Sequence, residues 1–289
     1  MLPKELNLRL AVTATPSAPT RPLQAPLLLW GDIQGAFRQA AELGCQGVEI
    51  HLRRAEDLEP HTVKRLMVEY GLAVPTLGTG MAAGDGLSLC DPRADIRAKT
   101  IQRARGHVEF AAEIGSAVTI GILSGNLGDC TGTVRLGRRL QFLESLAELC
   151  GLARNAAVTV LLEPLNRYES DYINTLADVG NVVREIRAPN LKLLADTFHM
   201  NIEEADLAAS LRSAGPLLGH VHLADTNRQA LGHGHLDVAA ILATLAEIEY
   251  QGYLSFEVFP LPDACTAIRD SMAAVRAAAR GFPPRDRNH

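Results

Sequence analysis

Leu161-Leu162-Glu163-Pro164-Leu165-Asn166-Arg167-Tyr168-Glu169 carries an apolar run into a carboxylate and, one residue later, into a proline. The run begins at Val158 and is continuous rather than alternating. It therefore reads as a parallel-type strand buried on both faces, and Pro164 stops it from continuing as a central strand or a helix interior. A charge at the end of such a strand needs a partner. Three later runs end in the same way: Leu193-Leu194-Ala195-Asp196, Val221-His222 and Phe256-Glu257. The four polar residues stand 33, 26 and 35 positions apart, and steps of that size hold one strand, one helix and their loops. The expected fold is α/β, a single (β/α)8 TIM barrel. Glu163, Asp196, His222 and Glu257 then crown four consecutive strands at its C-terminal rim, where a metal site is expected.

Composition agrees with one such barrel. A chain of 289 residues, 47% hydrophobic and 21% charged, can bury a full core, and a barrel of this type takes about 250 residues. The expectation is one domain over 1–289, with 281–289 as a frayed tail. A formal net charge of −5 gives no general attraction to a phosphate backbone, so nucleic acid is disfavoured as a partner. Five scattered cysteines with no C-x-x-C pair, and no leader, read as reduced thiols in a cytoplasm. No apolar stretch approaches the roughly 18 residues of a membrane span, so no membrane partner is expected.

Along the chain, 6–12 reads as the first strand, and 13–31 as an ordered flap over the rim carrying Trp30, the only tryptophan. Asp32 is placed as the cap of a helix ending at Leu43 and closed by Gly44. Strands are expected at 47–52, 73–80, 118–123, 158–162, 191–196, 220–224 and 253–259. Helices are expected at 59–70, 93–114, 133–154, 176–186, 203–211, 238–248 and 264–280. Gly78-Thr79-Gly80-Met81-Ala82-Ala83 superficially fits a dinucleotide fingerprint, but no helix opens at its glycines and no acidic-ended strand follows at the right distance.

Three carboxylates and one imidazole form a hard, oxygen-rich set that suits Mn2+, Mg2+ or Co2+ better than a structural zinc, although Zn2+ stays admissible by ligand type. Open positions on such an ion would take a bidentate substrate. His220 shares the face parity of His222 and reads as a core or supporting histidine. His233 and His235 read as solvated loop residues. Glu49 and His51 end the second strand and stay outside the candidate set, and Phe259 reads equally as cavity wall or core.

The runs Glu163-Pro164-Leu165-Asn166-Arg167-Tyr168-Glu169, Asp196-Thr197-Phe198-His199-Met200-Asn201, His222-Leu223-Ala224-Asp225-Thr226-Asn227-Arg228 and Ser255-Phe256-Glu257 resemble the xylose-isomerase-like TIM-barrel superfamily. Within it they are most similar to ketose 3-epimerases of the D-tagatose and L-ribulose kind. The stretch 78–88 and the ending Phe259-Pro260-Leu261-Pro262 are closer to the branch acting on 5-keto-L-gluconate. The similarity covers about 7–276.

The resemblance implies a metal-dependent epimerase acting on the carbon beside the ketone of a ketose or keto-sugar acid. The carboxylates matching Glu163 and Glu257, also metal ligands, would exchange protons on opposite faces through a metal-stabilised cis-enediolate. It further implies that Asp196 and His222 complete the metal set, Mn2+ being the expected ion. Glu169, His199 and Arg228 would bind the carbonyl end of a sugar, and the subunits would pair as a homodimer or homotetramer.

An aldose–ketose isomerase of the hydroxypyruvate-isomerase kind needs the same groups and is the alternative; Asn227-Arg228 favours the epimerase branch. A dehydratase and a silent sugar-binding protein are further readings, the second opposed by the intact acid–base pair. The superfamily's repair endonucleases need extra histidines at the third and fourth strand ends, which here read Thr76-Leu77-Gly78-Thr79-Gly80 and Gly121-Ile122-Leu123-Ser124-Gly125.

Overall fold

Strand and helix alternate through residues 8–21 and 25–280, which the computed structural model describes. In chain order these are β1 (Leu10–Thr15), β2 (Leu29–Trp30), α1 (Ile33–Leu43), β3 (Gly47–His51), α2 (Pro60–Tyr70), β4 (Thr76–Gly78), α3 (Ala94–Ile114), β5 (Ala117–Ile120) and α4 (Gly132–Asn155). Then come β6 (Val160–Leu162), α5 (Leu176–Ile186), β7 (Leu191–Asp196), α6 (Thr197–Glu203), α7 (Leu207–Ala214), β8 (Leu218–Leu223), α8 (Val238–Glu247), β9 (Leu254–Phe256) and α9 (Ala264–Ala279). Neighbours pair in the order β1, β3, β4, β5, β6, β7, β8, β9, and β9 returns to β1 through Leu10–Leu254 and Val12–Phe256. Every pairing is parallel. The result is a closed eight-stranded parallel barrel ringed by helices, the (β/α)8 TIM fold expected above.

The helices bury one stripe each against the barrel. Phe37, Leu66, Val108, Leu146, Val179, Leu211, Leu242 and Ile268 are all buried in one continuous core with the strand residues, each contributing about 1.5–3 kcal/mol of apolar transfer free energy. Gly44, Gly71 and Gly115 close α1, α2 and α3 in the left-handed conformation, the usual way to end a helix without a Cβ clash. No helix among the described residues is long and apolar enough to cross a membrane.

Several boundaries differ from the sequence reading. The first strand runs to Thr15, not Val12, because Thr13 is fully buried and its hydroxyl is satisfied: it donates to the Pro26 carbonyl at 3.1 Å and accepts from the Leu28 N–H at 3.1 Å. Those bonds also tie down the segment read as a flap. Leu27, Leu28 and Leu29 are buried, and Leu29–Trp30 adds the short strand β2 beside β1. Residues 1–7, 22–24 and 281–289 lie outside the described residues, with part of that flap and the tail. Asp32 holds the N-cap position of α1 but makes no side-chain capping bond.

The helix expected at 203–211 is two helices. Glu204 takes an extended conformation and spends its carboxylate elsewhere, accepting from the Leu176 N–H at 2.7 Å and the Ser210 hydroxyl at 2.7 Å. Asp206 then caps α7 through the Ala209 N–H. The third and fourth strands are shorter than read, because 3-10 turns begin at Gly80 and Ile122.

Candidate metal centre

Four strand ends converge on one point. Glu163 follows β6 directly, its N–H donating to the Ile120 carbonyl of β5 at 3.0 Å. Its side chain fits because residue 121 is glycine, where a Cβ would stand 2.4 Å from Glu163 Oε2. Asp196 ends β7; one carboxylate oxygen accepts the Phe198 N–H at 2.8 Å and caps α6, which leaves Oδ2 for the centre. His222 lies on β8, and Glu257 follows β9. All four are buried, and one ligand-type atom from each lies within 4.8 Å of the others. His222 Nδ1 is 3.4 Å from Glu163 Oε1 and 3.5 Å from Glu257 Oε2.

The protein leaves atoms of this cluster unsatisfied. Glu163 Oε1 and His222 Nδ1 are buried without a hydrogen-bond partner, a state that costs about 1–3 kcal/mol for each neutral group and more for a charged one. A cation between them would satisfy both, so the residues present fit a divalent metal. The electrostatics point the same way. Burial, reinforced by the charge of Glu257 and offset in part by His222, raises the pKa of Glu163. Burial raises that of Asp196 well above the usual range against the pull of Arg228. Burial also opposes ionisation of Glu257, yet His222 and Arg228 outweigh it and hold that carboxyl low. Without an ion the three carboxylates cannot all ionise at contact distance, and a bound cation would displace the protons they keep.

Behind the cluster, Glu49 is fully buried in β3 and accepts from His222 Nε2 at 3.0 Å. That bond turns Nδ1 of His222 toward the centre; burial opposes the charged ring, yet Glu49, Glu257 and Glu163 raise its pKa well above the usual range, and a bound cation would take the place of the Nδ1 proton. Glu49 also takes His220 Nε2 at 3.0 Å, and His220 meets Ser255 Oγ at 2.8 Å, so His220 supports the site from behind. Burial would raise the pKa of Glu49, but His222 and the hydrogen bonds from three histidines hold it well below the carboxylate range. Glu49, His220 and His222 also lie close enough to hold a metal, but their facing atoms are consumed by these mutual bonds. The sequence reading left Glu49 out. The signal was a carboxylate inside an apolar run, Val48-Glu49-Ile50, whereas Glu163 was read from the end of one.

The substrate-side candidates gather over the same point. Arg228 bonds Glu257, lies 3.4 Å from Asp196 Oδ2 and 3.8 Å from Glu169 Oε1, and sits over the Phe198 ring at 4.7 Å. It holds a left-handed backbone with φ of 59°, an uncommon state for a residue with a Cβ. The turn is held by its N–H to the Asp225 carbonyl and by the Phe259 N–H to its own carbonyl, each at 2.8 Å. Buried Asp225 organises the rest of that loop by accepting the N–H groups of Thr226, Gly232 and Leu236.

His199 Nδ1 accepts from the Asn166 N–H at 3.2 Å and from Asn166 Nδ2 at 2.7 Å, so Nε2 carries the proton, 3.6 Å from Asp196 Oδ2. Burial, helped by Arg228, depresses its pKa to about 3, which keeps the ring neutral. Asn166 also donates to Glu169 at 2.9 Å; this positioning role was not read from the sequence. His233 pairs with Asp270 at the surface. A cavity of about 480 Å³ opens above the cluster, walled by Pro26, Leu27, Met81, Ile122, Phe198 and Phe259.

Fold and site together define a parallel (β/α)8 barrel with, at its rim, a buried carboxylate-rich cluster that could hold a metal ion. Residues 37–278 match the family described as xylose isomerase-like TIM barrel, and the chain belongs to that family. It is 35% identical over 248 residues to the 3-dehydro-D-guloside 4-epimerase of Escherichia coli K12, covering 83% of this chain and 92% of that protein. It is 31% identical over 224 residues to the L-ribulose 3-epimerase of Methylomonas sp. strain DH-1, covering 78% and 77%. The apo structure of 3-keto-D-glucoside 4-epimerase from E. coli superposes with a TM-score of 0.78 at 29% identity, covering 94% of this chain and all of that one. D-Allulose 3-epimerase from Methylomonas sp. in complex with D-allulose gives 0.77 at 25% identity, over 96% of this chain and 99% of that one. The chain is an enzyme of the isomerase class, of the epimerase type.

Proposed function

We propose that this enzyme, a single barrel domain over residues 1–289, uses a divalent metal to invert the carbon beside the ketone of a keto-sugar by two-base proton transfer. The observation that carries this reading is the placement of Glu163 and Glu257. Their carboxylates flank His222 Nδ1 at 3.4 and 3.5 Å from strands β6 and β9, which have two strands between them. They therefore approach a bound sugar from different directions. The relatives' names are consistent with this chemistry: in a ketose 3-epimerase and in a 3-dehydro-guloside 4-epimerase alike, the inverted carbon adjoins the ketone.

A divalent ion held by Glu163, Asp196, His222 and Glu257, with Mn2+ our choice, would supply Lewis-acid polarisation of the ketone oxygen and its neighbouring hydroxyl. The chain's own groups do the rest. One glutamate takes the proton from its face of the carbon and the other delivers one to the opposite face. His199 offers its Nε2–H and Glu169 an acceptor to the oxygens around the carbonyl. Arg228 favours the negative charge that develops there and keeps Glu257 ionised, ready to accept a proton.

Incubation of the metal-loaded protein with ketoses and keto-sugars in D2O, with the labelled carbon located by NMR, tests the reading. Deuterium at the inverted carbon beside the ketone is expected. Label confined to carbon one of a ketose, or to carbon two of an aldose product, would replace the epimerase by an aldose–ketose isomerase. Arg228→Lys keeps the charge but loses the planar fork that spans Glu257, Asp196 and Glu169. It should lower kcat/KM about 10–100-fold, the worth of a hydrogen bond to a charged group. Turnover equal to wild type would reduce Arg228 to a neighbour of the site.

A further inference from the structure

Glu49 organises more than the metal ligand. The Nε2 atoms of His51, His220 and His222 lie 3.1, 3.0 and 3.0 Å from its oxygens. A carboxylate oxygen accepts, so the facing Nε2 atoms are the donors, which leaves Nδ1 of each ring to other partners. In His222 that nitrogen turns to Glu163 and Glu257. In His51 it turns to the cavity: Nδ1 has no hydrogen-bond partner among the described residues, and the ring lines the cavity with 8% of the residue exposed. The imidazole lies flat over Gly78 of β4, where a Cβ would stand 2.4 Å from Nδ1 and 2.6 Å from Cε1. Only a residue without a side chain leaves the ring that place. One buried carboxylate thus orients two imidazoles, one facing the ligand cluster and the other facing the cavity.

The charges around the cavity narrow what His51 meets. Glu163, Glu169 and Glu257 line it, with Glu49 and Asp196 buried behind them, while Arg228 is the sole lysine or arginine among the described residues that line it. Arg228 is already shared by Glu257, Asp196 and Glu169, and one divalent ion still leaves the site net negative. A substrate carboxylate would face that field and an imidazole lone pair, whereas a hydroxyl donates to the same lone pair.

The geometry points to His51, positioned by Glu49, as a further substrate-binding residue that accepts a hydrogen bond from a hydroxyl of an uncharged keto-sugar, with keto-sugar acids disfavoured. This rests on the epimerase reading above and refines its substrate class.

The test compares wild type, His51→Leu, His51→Asn and Gly78→Ala, with D-allulose and 5-ketogluconate as the uncharged and carboxylate-bearing probes. KM for D-allulose should rise roughly tenfold in His51→Leu, the worth of one neutral hydrogen bond, with little change in kcat. His51→Asn, whose carbonyl oxygen lies near the lost Nδ1, should recover part of it. Gly78→Ala, which displaces the ring without altering it, should raise KM as His51→Leu does. Mn2+ affinity by calorimetry should stay unchanged in both His51 variants. In the Mg2+-loaded wild type with nitrogen-15-labelled histidine, the His51 Nδ1 resonance should move when D-allulose is added.

An unchanged KM in His51→Leu, a loss of Mn2+ affinity with KM unaltered, or a wild-type preference for 5-ketogluconate would each overturn the proposal. Should the wild type turn over neither sugar, the epimerase reading loses its support. The resonance shift then decides His51 alone: a shift with D-allulose sustains the contact and its absence overturns it.

Discussion

Glu163→Gln and Glu257→Gln should each lose epimerisation by about 10²–10⁴-fold, the usual worth of a positioned acid–base group. Each should nevertheless keep solvent exchange into one epimer only. Glutamine preserves the shape of the side chain but neither takes up a proton nor carries charge, so the variant keeps one working base on one face. That base can still remove and replace the hydrogen it reaches, which labels the epimer presenting that hydrogen and leaves the other untouched. The two variants should label opposite epimers. Both residues belong to the cation cluster, so occupancy must be matched by titration before rates are compared. Deuterium entering both epimers in either variant would mean that one base serves both faces, and the two-base scheme would fall.

Chelation should abolish turnover and lower the melting temperature by on the order of 10 °C, both recovered on adding Mn2+ or Co2+. An ion present at about 1,000 times its dissociation constant stabilises the folded state by about 4 kcal/mol. In a chain of this size each kcal/mol is worth about 2–4 °C. The direction follows from the unsatisfied Glu163 Oε1 and His222 Nδ1 and from the burial that opposes ionisation of Glu163 and Asp196. All of these are relieved by a cation. Calorimetric scans with and without EDTA measure the shift. A melting temperature and a turnover both indifferent to EDTA would remove the metal from the account.

The barrel was legible because its signals are local: a charged residue ending each of four apolar runs, at barrel spacing, is visible without knowing any contact. Glu169, His199 and Arg228 came from the resemblance, and the structure gathers them over the cluster. What stayed hidden depends on partners distant in sequence. Thr13 looks like the start of a loop until the Pro26 carbonyl and Leu28 N–H are known to meet its hydroxyl. Ile202-Glu203-Glu204-Ala205 has good helix formers, and only the capping of α5 and the bond to Ser210 explain why Glu204 is extended. Glu49 carried a readable signal, but its meaning required His220 and His222, more than 170 residues away.

The cation cluster draws all its members from β6 onward, while His51, Gly78, Thr79, Met81, Thr119 and Ile122 bring the first half of the barrel to the same cavity. The carboxylates proposed to move protons thus come from one stretch of the chain, while the cavity wall is shared between both halves, which join at the long helix α4. Exchange of the first half between relatives, or drift confined to it, would change that half's share of the wall, His51 included, while the proposed reacting groups keep their places. Glu49 is the exception, since it lies in the first half and holds a ligand of the second. A recombined barrel would have to carry that one carboxylate across the seam.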